Sequence, residues 1–378
     1  MSSKRLYIRT FGCQMNDRDS EFVIGQFLSN SYKLATDVLE ADVILLNTCS
    51  VRQHAEDKVF SELGRLRKLK NSNSRQTTIG VIGCMAKNLG NRIIKRMPHV
   101  DIVCSPNDLD KIYRLVENAR KQKRHLVEIG SQIRDSSFYK HFYHQDKTHS
   151  YVNISEGCSN FCSYCVVPYV RGKHRSRPVV DILNEINQLI KDGVNSITLL
   201  GQNVNDYSQV AGKKKTEFVN LLDIISDIED IKELNFVTSH PKDVDIKLFD
   251  LMASKRNIKK YLHLPVQSGS NRILKLMNRK YTREKYVEII EQYRKEIPNG
   301  NLATDIIVGF PMESDKDFRD TLNLVKKIKF NHAFIFKYSP RPHTKASNMI
   351  DDVPMDVKKK RHKILLDLQK KISKAKKR

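Results

Sequence analysis

The sequence has no tryptophan, few cysteines and no long apolar run. Runs such as Val43–Leu46 fall far short of the roughly 20 residues that cross a bilayer, so no membrane partner is expected. No apolar signal core follows the basic start Lys4-Arg5, and the chain is read as cytoplasmic. In a reducing compartment, seven cysteines point to metal or redox work rather than a disulfide framework. Acidic residues are in deficit: 43 Asp and Glu stand against 67 Lys and Arg, a formal net charge of +24. That excess favours a polyanionic partner such as nucleic acid. The 14 Tyr and 15 Phe keep base-stacking platforms available without Trp. A chain of 378 residues, 39% hydrophobic and 29% charged, is long enough to bury the cores of two soluble domains.

The most telling shortage is of a fourth cysteine. The stretch Gly157-Cys158-Ser159-Asn160-Phe161-Cys162-Ser163-Tyr164-Cys165 sets three thiols at CxxxCxxC spacing, with no obvious further ligand in range. A structural zinc site wants four closed ligands. Clusters held by Cys usually take four as well, so three thiolates leave one iron of a 4Fe–4S cube open. That open corner is where a radical S-adenosylmethionine (SAM) enzyme binds its cofactor, and Cys158, Cys162 and Cys165 are read as such a ligand set.

Apolar runs alternate with helical patterns along most of the chain. In residues 1–120, strands are expected at Leu6–Thr10, Asp42–Asn47, Thr77–Ile82 and Val100–Val103, with helices such as Asp17–Leu28 and His54–Lys70 between them. That rhythm predicts a doubly wound parallel sheet. Residues 121–149 are polar and basic and read as a linker; His125, His141, His144 and His149 there match no usual ligand spacing. In residues 150–356 six strands are expected, at Tyr151–Ser155, Ser196–Leu200, Glu233–Thr238, Lys260–Leu264, Leu302–Val308 and His332–Tyr338. Six βα units in series predict a partial (β/α)6 barrel of the TIM type, with its active face at the carboxyl ends of the strands. Residues 357–378 read as a basic helix and tail with an apolar stripe of Ile364, Leu365, Leu368 and Ile372.

Three further cysteines recur at equivalent places. Cys13 follows the first expected strand, Cys49 the second and Cys84 the third. In a parallel sheet these loops share the carboxyl edge, so the thiols are expected to converge there as a second cluster site. The competing reading is three small buried hydrophobes. Cys104 follows the fourth strand and is either a further ligand or a packed thiol; Pro106 and Asn107 lead straight into a helix, which favours packing.

These settings, Gly12-Cys13-Gln14-Met15-Asn16, Asn47-Thr48-Cys49-Ser50-Val51-Arg52 and Gly83-Cys84-Met85-Ala86, resemble the radical-SAM methylthiotransferase family. Within it the likeness is strongest to the tRNA 2-methylthio-N(6)-dimethylallyladenosine synthases, the MiaB type. It continues through Val166-Val167-Pro168-Tyr169-Val170-Arg171-Gly172, Leu199-Leu200-Gly201-Gln202-Asn203-Val204-Asn205, His263-Leu264-Pro265-Val266-Gln267-Ser268-Gly269-Ser270 and Asp305-Ile306-Ile307-Val308-Gly309-Phe310-Pro311. The resemblance implies two 4Fe–4S clusters. One, on Cys158, Cys162 and Cys165, would bind and cleave SAM; an auxiliary one, on Cys13, Cys49 and Cys84, would supply sulfur. A second SAM would donate the methyl group, and the methylthio group would enter carbon 2 of an adenine at position 37 of a tRNA anticodon loop. Tyr164 would lie near the SAM adenine, while Gly201, Gln202, Asn203, Gln267, Ser268, Gly309 and Pro311 would line the SAM cleft. No catalytic residue is assigned beyond the cluster ligands. A flavodoxin or ferredoxin would supply electrons, and the enzyme would be a monomer.

Members of this type continue into a small RNA-binding β-barrel (the TRAM module), which is expected to be lacking because the sequence stops at Arg378. Other readings are methylthiolation of threonylcarbamoyl-adenosine tRNA or of a ribosomal protein, and a non-catalytic iron–sulfur RNA-binding protein. The last needs fully ligated clusters, against which the three-cysteine sets argue.

Overall fold

A computed structural model describes residues 3–50, 53–72, 77–141, 143–212 and 214–376. The chain forms two compact units: Met1–Asp146 with Val166–Gly172, and Lys147–Cys165 with Lys173–Arg378.

Unit 1 is built on the strands β1 (Arg5–Thr10), β2 (Lys33–Leu34), β3 (Val43–Thr48), β4 (Thr78–Gly83), β5 (Ile102–Cys104) and β6 (Leu126–Glu128). They pair in the order β2-β1-β3-β4-β5-β6, every pair parallel. β3 and β4 are buried at every position, as strands covered on both faces must be. Alternate residues of β3 feed two cores. Val43 and Leu45 pack with Phe22, Phe27 and Val116 from helices Gln14–Leu28 and Ile112–Gln122. Ile44 and Leu46 pack with Val59, Leu63 and Leu66 from helix Gln53–Ser72. This is the doubly wound sheet expected.

The segment expected to be a linker, 121–149, is a correction. Leu126, Val127 and Glu128 pair in register with Ile102, Val103 and Cys104 as the sixth strand. Phe138 is fully buried, its ring centroid 5.0 Å from that of Phe22. Arg134, 5% exposed, binds Asp19 at 2.7 Å. The segment lacks an apolar run because ion pairs and isolated aromatics hold it, so hydrophobic periodicity could not reveal it. It belongs to unit 1 through Asp146.

Unit 2 contains six parallel strands: His149–Asn153, Ser196–Leu200, Glu233–Phe236, Tyr261–His263, Asn301–Val308 and His332–Lys337. The first three and the last three each pair as neighbours. Lys259 N–H donates to Leu234 O at 2.9 Å and connects the two sets. One side of the sheet, with Val152, Ile197, Leu199, Leu234 and Ile306, packs against helix residues such as Ile186, Leu222 and Ile290. The alternate positions, among them Asn153, Thr198, Asn235, His263 and Asp305, face the other side. This is the partial barrel expected.

The final helix, Met355–Lys376, inserts Leu365 into that core, with Leu368 and Ile372 against it; Ile364, placed on the same stripe by sequence, is 39% exposed. Residues 377 and 378 of the expected tail lie outside the described residues. Lys358, 1% exposed, runs over Gly309 to reach the Asp351 carboxylate at 2.6 Å. Gly309 takes φ +67°, and a β-carbon there would stand 2.3 Å from Lys358 Cγ. Gly309→Ala therefore combines a left-handed backbone with overpacking. It is expected to cost about 2–4 kcal/mol in denaturant unfolding. An unchanged midpoint would refute the crowding.

Candidate metal centres and cofactor site

In unit 1, Cys13 lies three residues past Thr10 of β1, Cys49 directly past Thr48 of β3, and Cys84 directly past Gly83 of β4. These strands are neighbours, and Thr48 stands opposite Gly83, so the three loops leave one sheet edge side by side. A β-carbon on Gly12 would lie 2.7 Å from that of Cys49. Gly83 takes φ +92°, and its β-carbon would meet Asn47 Oδ1 at 2.4 Å and Thr48 O at 2.7 Å, so only glycine lets the chain turn into Cys84. Cys49 and Cys84 are buried and Cys13 is exposed, which leaves the set open on one side. Val51 and Arg52 of the second motif lie outside the described residues.

A buried charge network backs this edge. Arg171, 3% exposed, donates from Nε to Cys84 Sγ at 3.3 Å and from Nη2 to Asn16 Oδ1 at 2.9 Å and Asp19 Oδ2 at 2.8 Å. Arg134 holds the other oxygen of Asp19. Burial alone would raise the Asp19 pKa; the two guanidiniums overcome it and hold the carboxyl below its ordinary value. Burial pushes the Cys84 thiol up, with Arg171 opposing and nearby Cys13 reinforcing. Cys13 also starts the helix Gln14–Leu28, whose first N–H groups favour negative charge. Cys104 is not part of the edge: it is fully buried in the sheet core, and its thiol donates to Asp108 O at 3.3 Å.

In unit 2, the loop after the first barrel strand carries Cys158, Cys162 and Cys165. It is pinned from both sides: Ser163 N–H donates to Met277 O at 3.0 Å, and Ala346 N–H donates to Ser163 O at 2.7 Å. Phe161 turns the loop at φ +48°. Cys162 is 8% exposed, while Cys158 and Cys165 are half-buried. Burial raises the Cys158 thiol, opposed by the Asn160 N–H and reinforced by Cys162. Arg279, 4% exposed, donates from Nη1 to Cys162 Sγ at 3.4 Å and to the Tyr164 hydroxyl at 3.5 Å.

The residues expected to line a SAM cleft divide into two groups. Gly201, Gln202 and Asn203 follow the second barrel strand, and a β-carbon on Gly201 would strike Ser155 Oγ at 2.4 Å. Gln202 Oε1 and Asn203 Oδ1 are buried with no partner among the described residues, as are Ser155 Oγ, His240 Nε2 and both amide atoms of Asn153. Gln267, 8% exposed, sits at φ +68°. The other group holds the fold. Ser268 Oγ accepts from Ser270 N–H at 3.2 Å, Gly309 N–H donates to Glu313 Oε1 at 2.9 Å, and Pro311 is buried. Tyr164 packs with Ile273, Met277 and Phe310.

Sequence reasoning missed Asn153, His240, Arg171 and Arg279 as site residues. His240 Nδ1 accepts from Lys242 N–H at 3.2 Å. Burial, then the cations Arg279, Lys242 and Lys280, pushes its pKa down to about 2. The ring is therefore neutral with its proton on Nε2, a buried donor without an acceptor among the described residues. These orphaned polar atoms, all at carboxyl ends of barrel strands, fit a polar ligand such as SAM.

Among the described residues no three His, Cys, Asp or Glu side chains gather around one point, as ligands of a single ion would. A cubane makes a different demand, since each thiolate binds its own iron. Two all-cysteine triads, each touched by a buried guanidinium, have the donor chemistry for such clusters.

Residues 152–325 match the radical SAM superfamily, and residues 5–105 match the uncharacterized protein family UPF0004. The chain is 44% identical over 372 residues to the tRNA-2-methylthio-N(6)-dimethylallyladenosine synthase of Bacillus subtilis, covering 98% of this chain and 73% of that one. It is also 44% identical to the synthase of that name from Geobacillus kaustophilus, covering 98% and 70%. Among solved structures, the radical SAM methyltransferase TsrM from Kitasatospora setae, with tryptophan and a SAM analog bound, superposes with TM-score 0.64 at 12% identity, over 91% of this chain and 75% of that one. The cobalamin-dependent radical enzyme OxsB, with aqua-cobalamin and SAM bound, gives 0.60 at 12% identity, over 99% and 56%. These structural likenesses speak to the fold.

Proposed function

The chain belongs to the tRNA-2-methylthio-N(6)-dimethylallyladenosine synthase family of radical-SAM tRNA methylthiotransferases, and from that premise we propose how its residues divide the work. The reaction is methylthiolation of carbon 2 of the dimethylallyl adenosine at position 37 of tRNA, with SAM and 4Fe–4S clusters as cofactors. Cys158, Cys162 and Cys165 hold the cluster that meets SAM; Cys13, Cys49 and Cys84 hold the auxiliary one. Clusters held there would supply one-electron chemistry toward SAM, from the first set, and the sulfur to be inserted, from the second. What carries the reading is the pairing of 44% identity to such a synthase over 98% of this chain with two three-cysteine sets, each at strand ends.

The protein's own part is to bind and orient. Gln202 Oε1 and Asn203 Oδ1 present acceptors, and neutral His240 presents a donor, to the amino acid and sugar of SAM. The pinned loop at Ser163 fixes Cys162 and Cys165 against the barrel. The basic composition draws a tRNA anticodon loop, where the target base leaves its stack at least cost. No helix among the described residues is long and apolar enough to cross a membrane. We place the enzyme in the cytoplasm, as a monomer reduced by a flavodoxin or ferredoxin.

Mass spectrometry of tRNA digests from a deletion strain tests the assignment. Dimethylallyladenosine is expected to accumulate without its methylthio group and to be converted again when the gene is restored. Loss confined to threonylcarbamoyl-adenosine or to a ribosomal protein would overturn it.

A further inference from the structure

Unit 2 contains a buried cation, Arg279, to which no carboxylate among the described residues is bonded. Arg18, Arg134, Arg171, Arg177 and Arg361 are all buried, and each is ion-paired with a carboxylate. Arg279 is equally buried, yet among the described residues no carboxylate bonds to it. Its Nε donates to the Tyr281 hydroxyl at 3.0 Å, its Nη2 to Pro265 O at 2.8 Å, and its Nη1 to the Tyr164 hydroxyl at 3.5 Å and Cys162 Sγ at 3.4 Å. The two phenols are no substitute for an anion, because a phenol with its ordinary pKa of about 10 is neutral near pH 7. Arginine stays protonated in proteins, and a buried charge without a counter-charge is strongly unfavourable. Among these partners, the sulfur of Cys162 is the one best able to carry negative charge.

We infer that Arg279 is the counter-cation of the iron–sulfur group on Cys158, Cys162 and Cys165, and that its bond to Cys162 Sγ raises the group's reduction potential. This rests on the ligand assignment proposed above. One-electron reduction adds one negative charge and breaks no bond at the thiolate. A guanidinium at 3.4 Å stabilises the reduced state more than the oxidised one. Arg171 gives Cys84 a similar donor but shares its charge with Asp19, so Arg279 is the stronger lever of the two. It acts through Cys162 and is a positioning residue.

The test uses the full chain carrying Cys13→Ala, Cys49→Ala and Cys84→Ala, reconstituted anaerobically so that a single cluster remains. Iron content reads the ligand assignment: about four irons per chain support it. A chain that binds none overturns it and the inference with it. A dithionite titration followed by electron paramagnetic resonance then reads the inference. Adding Arg279→Gln is expected to keep the iron and lower the reduced-to-oxidised ratio at fixed potential about tenfold, a shift of about 59 mV for one electron. Arg279→Lys is expected to recover most of the shift. A midpoint that stays in place in an iron-loaded Arg279→Gln chain overturns the inference. If that chain loads no iron, Arg279→Lys decides: a smaller negative shift supports the role and no shift overturns it.

Discussion

Replacing Asp19 by alanine is expected to lower the unfolding free energy by about 3–5 kcal/mol, the usual cost of leaving buried charge without its partner. The carboxylate is fully buried between Arg134 and Arg171, at 2.7 and 2.8 Å, and both guanidiniums are themselves buried. Its removal would take the shared carboxylate from two buried cations of unit 1. Asp19→Asn keeps the shape and loses the charge, and should fall between the two. Chemical denaturation of the chain measures both; an alanine variant within about 1 kcal/mol of the parent would mean that water enters and screens the pair. The acid limb is fixed in sign. The folded-state pKa of Asp19 is depressed, so its stabilisation is complete above the ordinary carboxylate pKa of about 3.9. It is lost as pH falls through the lower folded-state value. The alanine variant should therefore lose the corresponding part of the parent's acid sensitivity.

The second large effect is a separation of activities. Cys158→Ala is expected to reduce both 5′-deoxyadenosine and methylthiolated tRNA to background. Cys84→Ala should abolish the methylthio product while 5′-deoxyadenosine still forms on reduction with SAM. The two triads belong to different units, each with its own core. Chromatography of the small-molecule products beside mass spectrometry of the tRNA distinguishes the outcomes. Equal loss of both products in the two variants would show that the triads do not work separately.

The cysteines were legible because their spacing is local or tied to strand ends, and strands in a parallel sheet leave little doubt about which edge their loops share. Three apolar runs alone place Cys13, Cys49 and Cys84 on one sheet edge. Arg171 and Arg279 could not. Each touches its thiol from far along the chain, across 87 and 117 residues, and no periodicity distinguishes them from the other basic side chains. The sixth strand was hidden for a related reason: Leu126–Glu128 is three residues long, half-buried, and surrounded by charge. Of the loops expected to line the SAM cleft, Gly201–Asn203 carries buried atoms with no partner among the described residues, whereas Ser268 and Gly309 use their polar groups inside the fold. Sequence identity cannot tell a residue that waits for a ligand from one that closes a turn.

The short piece Val166–Gly172 gives the molecule a property of lineage and engineering. It is separated by sequence from the rest of unit 1, yet it brings the Arg171 that completes the Asp19 pair. A recombination or cloning boundary at residue 146 therefore yields no finished module. Transplanting unit 1 into another protein requires two non-adjacent segments to travel together, and any insertion tolerated between them must leave both in step.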